Sequence, residues 1–303
     1  MFRNFGALRA SLDDSISNTI IVAAAHDKHT LEAVFAASKL LPMRYTLVGQ
    51  QSKITSICSD LGVSILADSI VDATDNLDCA QKAVGLVRQG RGSMLMKGIL
   101  ETGTLLKAVL DKENGIRHSG VMSHMVLLEV PQYHKLITVT DAGMNPYPSL
   151  EQKVHIVLNA VDFYEKLGFT TPNIAALTAV ESVNEKMPET VDAHELQKMC
   201  QHGNLGSYYL EGPLSFDIAV SKESAEIKGF CSKVSGESDT FLVPNITVGN
   251  VLCKSLLYWG NAKMAGCVLG AKVPIVLVSR GATAEEKLLS IMLCLKIGQK
   301  SNC

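Results

Sequence analysis

The stretch VSRGATAEE, residues 278–286, sets a hydroxyl, a guanidinium and two carboxylates at the end of an apolar run. Ser279 and Arg280 follow the run directly, Gly281 supplies a turn, and Glu285 and Glu286 open a helical pattern. Two readings of this spacing are open. Thr283 and Glu286 match a T-x-x-E capping box and Glu285 complements a helix dipole, which accounts for the carboxylates without any substrate. Ser279 and Arg280 have no such use. Arginine is a bidentate partner for phosphate, and here it stands just ahead of a helix N-terminus.

Three other apolar runs end on chemistry-bearing residues. After SMLMKG (93–98), Lys97 closes a strand, Thr102 or Thr104 is placed to cap a helix, and Lys107 falls in that helix's first turn. A cation there opposes the helix dipole, so it is either a solvated lysine or, with Lys97, part of an anion site. After LITVTD (136–141), Asp141, Gly143 and Asn145 form a polar turn, and Ser149 with Gln152 fits a second capping box. Asx residues in turns bond their own backbone or face a substrate. After TFLVP (240–244), Thr247 is read as a cap, Gly249 and Asn250 as its first turn, and Lys254 as one turn further. A glycine in a helix costs about 1 kcal/mol relative to alanine, so it marks a close approach of backbone or ligand.

The elements that must position these residues read as strand, loop, helix, repeated. Strands are expected at 19–25, 45–49, SILA (64–67), 93–98, 125–130, 136–141, 174–180, 208–212, 240–244, 266–270 and 273–278. Helices are expected at about 29–41, 51–61, 77–90, 104–112, from Pro148 to 167, and after Thr283. Short apolar strands alternating with helices give the α/β class, mostly parallel sheets covered by helices. In such folds ligands bind beyond the carboxyl ends of strands.

Composition excludes several classes. The 303 residues are 47% apolar and 19% charged with net charge −2, which gives no bulk attraction for nucleic acid or an anionic membrane. No secretory leader or membrane-length apolar run is read, so the expected location is the cytoplasm. The eight cysteines lack C-x-x-C spacing and read as small core residues; no metal site is expected. P-loop, dinucleotide and G-x-S-x-G signatures are absent. Residues and spacing alone stop at an α/β enzyme handling an anionic ligand.

TDAGMNPYPSLEQK, AVESVNEKMPETVDA, GPLSFDIAVS, VPNITVGNVLCK and SRGATAEEK, in this order, resemble the phosphate acyltransferase family, the phosphotransacetylases and phosphotransbutyrylases. The likeness runs over nearly the whole chain. LLKAVLDKENGIR and ESVNEKMP look more like the butyryl branch. The resemblance implies exchange of a short acyl group between coenzyme A and phosphate, both substrates, with no cofactor or metal. It implies a two-lobed fold similar to isocitrate/isopropylmalate dehydrogenase, a homodimer, and lobes of 1–138 plus 268–303 and of 139–267 with the site in the cleft. By position, Ser279 would stabilise the tetrahedral intermediate, Arg280 would hold the phosphoryl group, and Glu286, or its neighbour Glu285, would be the base. Lys97, Thr102, Lys107, Asp141, Asn145, Asn250 and Lys254 are the expected substrate contacts. Lys107 stands where the acetyl branch has arginine. The alternatives are a phosphate acetyltransferase, a nicotinamide-dependent decarboxylating dehydrogenase of the same architecture, and a non-catalytic acyl-CoA or acyl-phosphate sensor.

Overall fold

A computed structural model describes residues 1–13, 18–118, 120–201, 208–230, 232–279 and 281–299. The chain forms two compact units: Leu8–Ser119 with Ala265–Cys303 (the terminal unit), and Met1–Ala7 with Gly120–Met264 (the middle unit). The family resemblance implies crossings at 138/139 and 267/268; the units part at 119/120 and 264/265. In chain order the elements are α1 (Phe5–Ala10), β1 (Asn18–Ala23), α2 (Lys28–Leu40), β2 (Met43–Gly49), α3 (Gln51–Asp60), β3 (Ile70–Asp72), α4 (Asn76–Arg88), β4 (Met94–Lys97), α5 (Thr102–Val109), β5 (Ser123–Glu129) and β6 (Ile137–Thr140). There follow α6 (Leu150–Leu167), β7 (Asn173–Leu177), α7 (Pro188–Gln201), β8 (Tyr209–Leu214), α8 (Phe216–Val220), α9 (Lys222–Ile227), β9 (Thr240–Leu242), α10 (Ile246–Tyr258), β10 (Lys263–Leu269), β11 (Ile275–Val276) and α11 (Ala284–Gly298).

The terminal unit orders its strands β3-β2-β1-β4-β11-β10, all parallel except β10 against β11. β1 is an almost wholly buried NTIIVA run between β2 and β4, as an interior parallel strand requires. The chain lays β2 and β3 on one side of β1 and then β4 on the other. That reversal opens a crevice at the carboxyl ends of β1 and β4. Helix α2 starts where Asp27 accepts from the Thr30 N–H, and it buries Leu31, Val34 and Phe35.

The middle unit orders its strands β5-β6-β9-β7-β8, with only β5 antiparallel. Helix α6 opens with both halves of the Ser149–Gln152 capping box and ends at Gly168, whose φ of 91° is the left-handed stop glycine favours. Inside, the hydroxyls of Thr138 and Thr240 meet at 2.8 Å beside the Tyr164 hydroxyl, so polar groups on neighbouring strands satisfy one another. Burial pushes the Tyr164 phenol well above its ordinary pKa.

Several expectations shift. SILA is not a strand: Leu66 is exposed, and the three-residue edge strand β3 is set instead by Leu47 pairing with Ile70. The run at 273–278 contributes only Ile275–Val276 to the sheet. α5 begins at Thr102 after Glu101 and ends at Val109, so Lys107 lies in its last turn, where a cation complements the dipole. The first-turn reading of Lys107 is therefore corrected. α7 carries too weak an apolar stripe to be anticipated; it buries the small Thr190 and Ala193 with Leu196. Cys58, Cys79, Cys253, Cys267 and Cys294 are buried thiols, and burial pushes Cys253 up to about 12.

Glu211 on β8 has a buried Oε2 with no hydrogen-bond partner, and desolvation raises its carboxyl above the usual range against a backbone N–H from Lys233. A raised folded pKa means that stability is full below the unfolded value and declines as pH rises through the folded one. Glu211→Gln should therefore raise stability at pH 7.5 by about 1 kcal/mol, or roughly 2–4 °C in Tm. The gain should vanish near pH 4, as read by melting curves at both pH values.

Candidate active site

The terminal unit's strand ends are built by backbone first. Gly98 N–H donates to the Ala23 carbonyl at 2.8 Å and Ile99 N–H to Ala24 at 3.1 Å, which binds the β4 exit onto the β1 exit. A Cβ at Gly98 would overlap both carbonyl oxygens, so only glycine fits. Lys97, buried at the end of β4, donates its ammonium to the Gly98 and Leu100 carbonyls at 3.1 and 3.2 Å. A buried cation needs such acceptors. They also hold the turn that leads to Thr102, the first residue of α5. Lys107 is exposed at the other end of that helix.

β11 lies beside β4 with Val276 opposite Met96, so the chain leaves β11 next to Lys97. Ser279, three residues on, is exposed, and its carbonyl accepts the Ala282 N–H at 3.1 Å. Arg280 lies outside the described residues. The box at the start of α11 is complete: Glu286 N–H donates to Thr283 Oγ1 at 3.2 Å, and Thr283 N–H donates to Glu286 Oε2 at 2.7 Å. Glu286 is buried and held by one oxygen; Glu285 is exposed. One turn on, the Ser290 hydroxyl donates to the Glu286 carbonyl and accepts from Gly266 N–H, fixing α11 to β10.

In the middle unit, Asp141 directly follows β6 and is almost fully buried. Its Oδ1 accepts from the N–H groups of Gly143 and Met144 at 2.8 and 2.9 Å, and its Oδ2 from the N–H and side-chain amide of Asn145. The Asn145 amide also reaches the Met122 carbonyl at 2.9 Å. Asp141 and Asn145 thus fold the turn on themselves, the local reading of an Asx turn. Gly143 approaches His124 so closely that a Cβ would lie 2.6 Å from Nδ1.

α10 packs directly on this turn. Its cap is Asn245, whose Oδ1 accepts from Val248 N–H at 3.1 Å, not Thr247 as expected. Asparagine caps as well as serine or aspartate, so starting the helix two residues earlier follows an ordinary signal. Gly249 then lies over the turn, where a Cβ would stand 2.9 Å from the Asp141 carbonyl oxygen and 3.0 Å from Ala142 Cα. Backbone accounts for this glycine. Asn250 and Lys254 are exposed on α10.

A second polar group at the carboxyl ends of β7 and β8 went unread in the sequence. Lys228 Nζ donates to Glu181 at 2.8 Å and to Asp217, and the Ser215 hydroxyl sits between the two carboxylates. The Ser215 hydroxyl and Lys228 hold the Asp217 carboxyl down to about 2. Only its GPLSFD portion is local; Glu181 and Lys228 arrive from distant segments, and no spacing announces them. Among the described residues, no group of three or more His, Cys, Asp or Glu is placed to hold a metal, and no helix is long and apolar enough to cross a membrane.

The family model for phosphate acetyl/butaryl transferase matches residues 72–295. The phosphate butyryltransferase of Clostridium acetobutylicum is 38% identical over 293 residues, 97% of each chain. The phosphate acetyltransferase of Rhizobium meliloti is 38% identical over 270 residues, 89% of this chain and 85% of that one. A branched-chain phosphotransacylase from Enterococcus faecalis superposes with a TM-score of 0.81 at 33% identity, covering 93% of this chain and 99% of that one. A Salmonella typhimurium structure described as a 4-hydroxythreonine-4-phosphate dehydrogenase, at a TM-score of 0.57 and 13% identity over 93% of this chain and 100% of that one, shares the fold.

Gly249 and Gly281 give opposite expectations for a methyl group. Gly249→Ala gains about 1 kcal/mol of helix propensity but forces backbone apart, at about 1–3 kcal/mol. Its Tm should fall and turnover with it. Gly281 has nothing within 4 Å of a Cβ, so Gly281→Ala should stay within about 1 kcal/mol of wild type in denaturant titrations.

Proposed function

The chain belongs to the phosphate acetyl/butaryl transferase family and is a phosphate acyltransferase; we propose that it moves butyryl or a branched short acyl group between coenzyme A and inorganic phosphate in one ternary complex, as a cytoplasmic homodimer. The observation that carries the site assignment is the division of the turn after β11. Thr283 and Glu286 are engaged as the helix cap, while Ser279 stands exposed ahead of it.

In the thioester-forming direction, Glu286 takes the proton of the coenzyme A thiol. A thiol of pKa near ~8.5 is only slightly ionised at neutral pH, so a base raises the thiolate fraction. The sulfur attacks the acyl carbonyl; the C–S bond forms, and the carbonyl oxygen takes the negative charge. The Ser279 hydroxyl donates to that oxyanion. The C–O bond to phosphate then breaks, and phosphate leaves as an anion held by Arg280. In reverse, phosphate attacks the thioester and coenzyme A leaves as thiolate. Glu286 suits the base role because its carboxylate is already fixed: Oε2 stays on Thr283 and leaves Oε1 for the proton. Asp141 serves as a positioning residue that shapes the turn under α10.

Mixing butyryl-CoA with phosphate and following free thiol tests the activity; no phosphate-dependent release with any short acyl-CoA overturns it. Ser279→Ala should lower turnover at least about tenfold, or ~1.4 kcal/mol of barrier. Glu286→Gln should lose as much while keeping its Tm, because glutamine still serves the capping box, and Glu285→Gln should keep its rate. The reverse pattern makes Glu285 the base. Equal identity to an acetyltransferase favours acetyl transfer as the second reading. Single methylenes are worth only ~1–3 kcal/mol, so rates with acetyl-, butyryl- and isobutyryl-CoA decide between the two.

A further inference from the structure

Among the described residues three lysines are buried: Lys97, Lys153 and Lys287, at 7%, 6% and 8% exposure. Two of them have acceptors. Lys97 donates to the Gly98 and Leu100 carbonyls, and Lys153 pairs with Asp192 at 2.6 Å. The Lys287 ammonium has no hydrogen bond and no ion pair among the described residues. An ammonium carries three donors, and burying a charge without partners is costly. Such breaches of an otherwise general rule concentrate where a protein meets a ligand.

The surroundings of Lys287 belong to the terminal unit. It follows Glu286 in the first turn of α11, and its own N–H is spent on the Thr283 carbonyl. α2, the helix after β1, packs along α11. Burial works to raise the carboxyl of Asp27, the cap of α2. The Thr30 hydroxyl and N–H, and after them the charges of Lys287 and His29, hold it below its usual range. Lys287 is therefore near enough to act on Asp27 through space, yet the two are not in contact, and Asp27 Oδ2 is taken by Thr30. The helices that start here follow β1 and β11, the strands that flank β4, so Lys287 stands at the strand ends where Ser279 leaves the sheet.

We propose that Lys287 binds the phosphoryl group of the substrate, its ammonium donating to an oxygen of inorganic phosphate in one direction and of acyl phosphate in the other. The inference rests on the phosphate acyltransferase activity proposed above and adds a residue to its site. Of the cations that the sequence offers for a phosphate in this unit, Lys97 is engaged on carbonyls and Lys107 is exposed in the last turn of α5, which leaves Arg280. A phosphate dianion calls for a second cation, and charge-assisted hydrogen bonds are the strong ones. The buried setting adds to this, because a charge acts more strongly where little water screens it. Lys287 keeps its proton throughout and opposes the negative charge that gathers on phosphate as it leaves.

Lys287→Met should raise the KM for phosphate at least about tenfold in the butyryl-CoA assay and leave the KM for butyryl-CoA within about twofold. Its Tm in phosphate-free buffer should be no lower than that of wild type, because an unpaired buried charge gives way to an apolar chain of similar length. Asp27→Asn, which still caps α2, should lower the phosphate KM, since a carboxylate that competes for the ammonium is gone. An unchanged phosphate KM in Lys287→Met, with a lowered Tm that Asp27→Asn restores, makes Lys287 a counter-charge for Asp27 and overturns the proposal. If Lys287→Met does not fold, a phosphate KM that Asp27→Asn leaves unchanged or raises overturns it too. Calorimetric titration of inorganic phosphate into the full chain, without acyl-CoA, separates the site from the reaction. Phosphate bound by wild type and lost in Lys287→Met, with no thiol release from any short acyl-CoA, supports the site and contradicts the reaction. Equal binding by both, or none by wild type, overturns the site whatever the turnover.

Discussion

A parallel strand that ends beside its neighbours exposes backbone N–H and C=O groups that must be satisfied before the chain can turn into a helix. Most of this protein's distinctive residues meet that demand. The Asp141 carboxylate takes three successive N–H groups and an amide. The Ala23 and Ala24 carbonyls take the exit of β4, and Lys97 donates to the Gly98 and Leu100 carbonyls. Thr283 and Glu286 satisfy each other's N–H groups at α11. Because unpaired buried polar groups cost about 1–3 kcal/mol each, these bonds are conditions for the turns to exist. The chemistry occupies what they leave over.

That constraint explains why one side chain often serves both structure and function. Glu286 is fixed by its cap, and such fixation suits the general-base role we propose for it, since the carboxylate is oriented before substrate arrives. Asp141 goes the other way. With both oxygens spent on its own turn, it shapes the surface on which Gly249 and α10 rest. A carboxylate's position in a motif does not distinguish these roles; its hydrogen bonds do.

The same physics sets what the sequence reveals. Capping boxes are written in four consecutive residues, so Ser149–Gln152 and Thr283–Glu286 were legible with their helices. Interior strands such as β1 were legible because burial on both faces demands an unbroken apolar run. What depends on distant partners was not. β3 takes its three residues from its register on β2, and the more apolar SILA stays outside the sheet. The close approach at Gly249 could be suspected, but not that Asp141 lay beneath it. Lys107 was placed in the wrong turn because one shift of a helix start carries a residue from one dipole end to the other. The Glu181–Ser215–Lys228 group joins segments remote in sequence and has no local signature.

At the centre of the proposed reaction is direct transfer: with Ser279 as a hydrogen-bond donor that never carries the acyl group, coenzyme A and acyl phosphate would have to be bound together. The most direct measurement is exchange of labelled phosphate into unlabelled butyryl phosphate with coenzyme A left out. Direct transfer predicts no exchange until coenzyme A is added, because the acyl group has nowhere to wait. Exchange at a rate near turnover without coenzyme A would require a covalent acyl-enzyme and would contradict it.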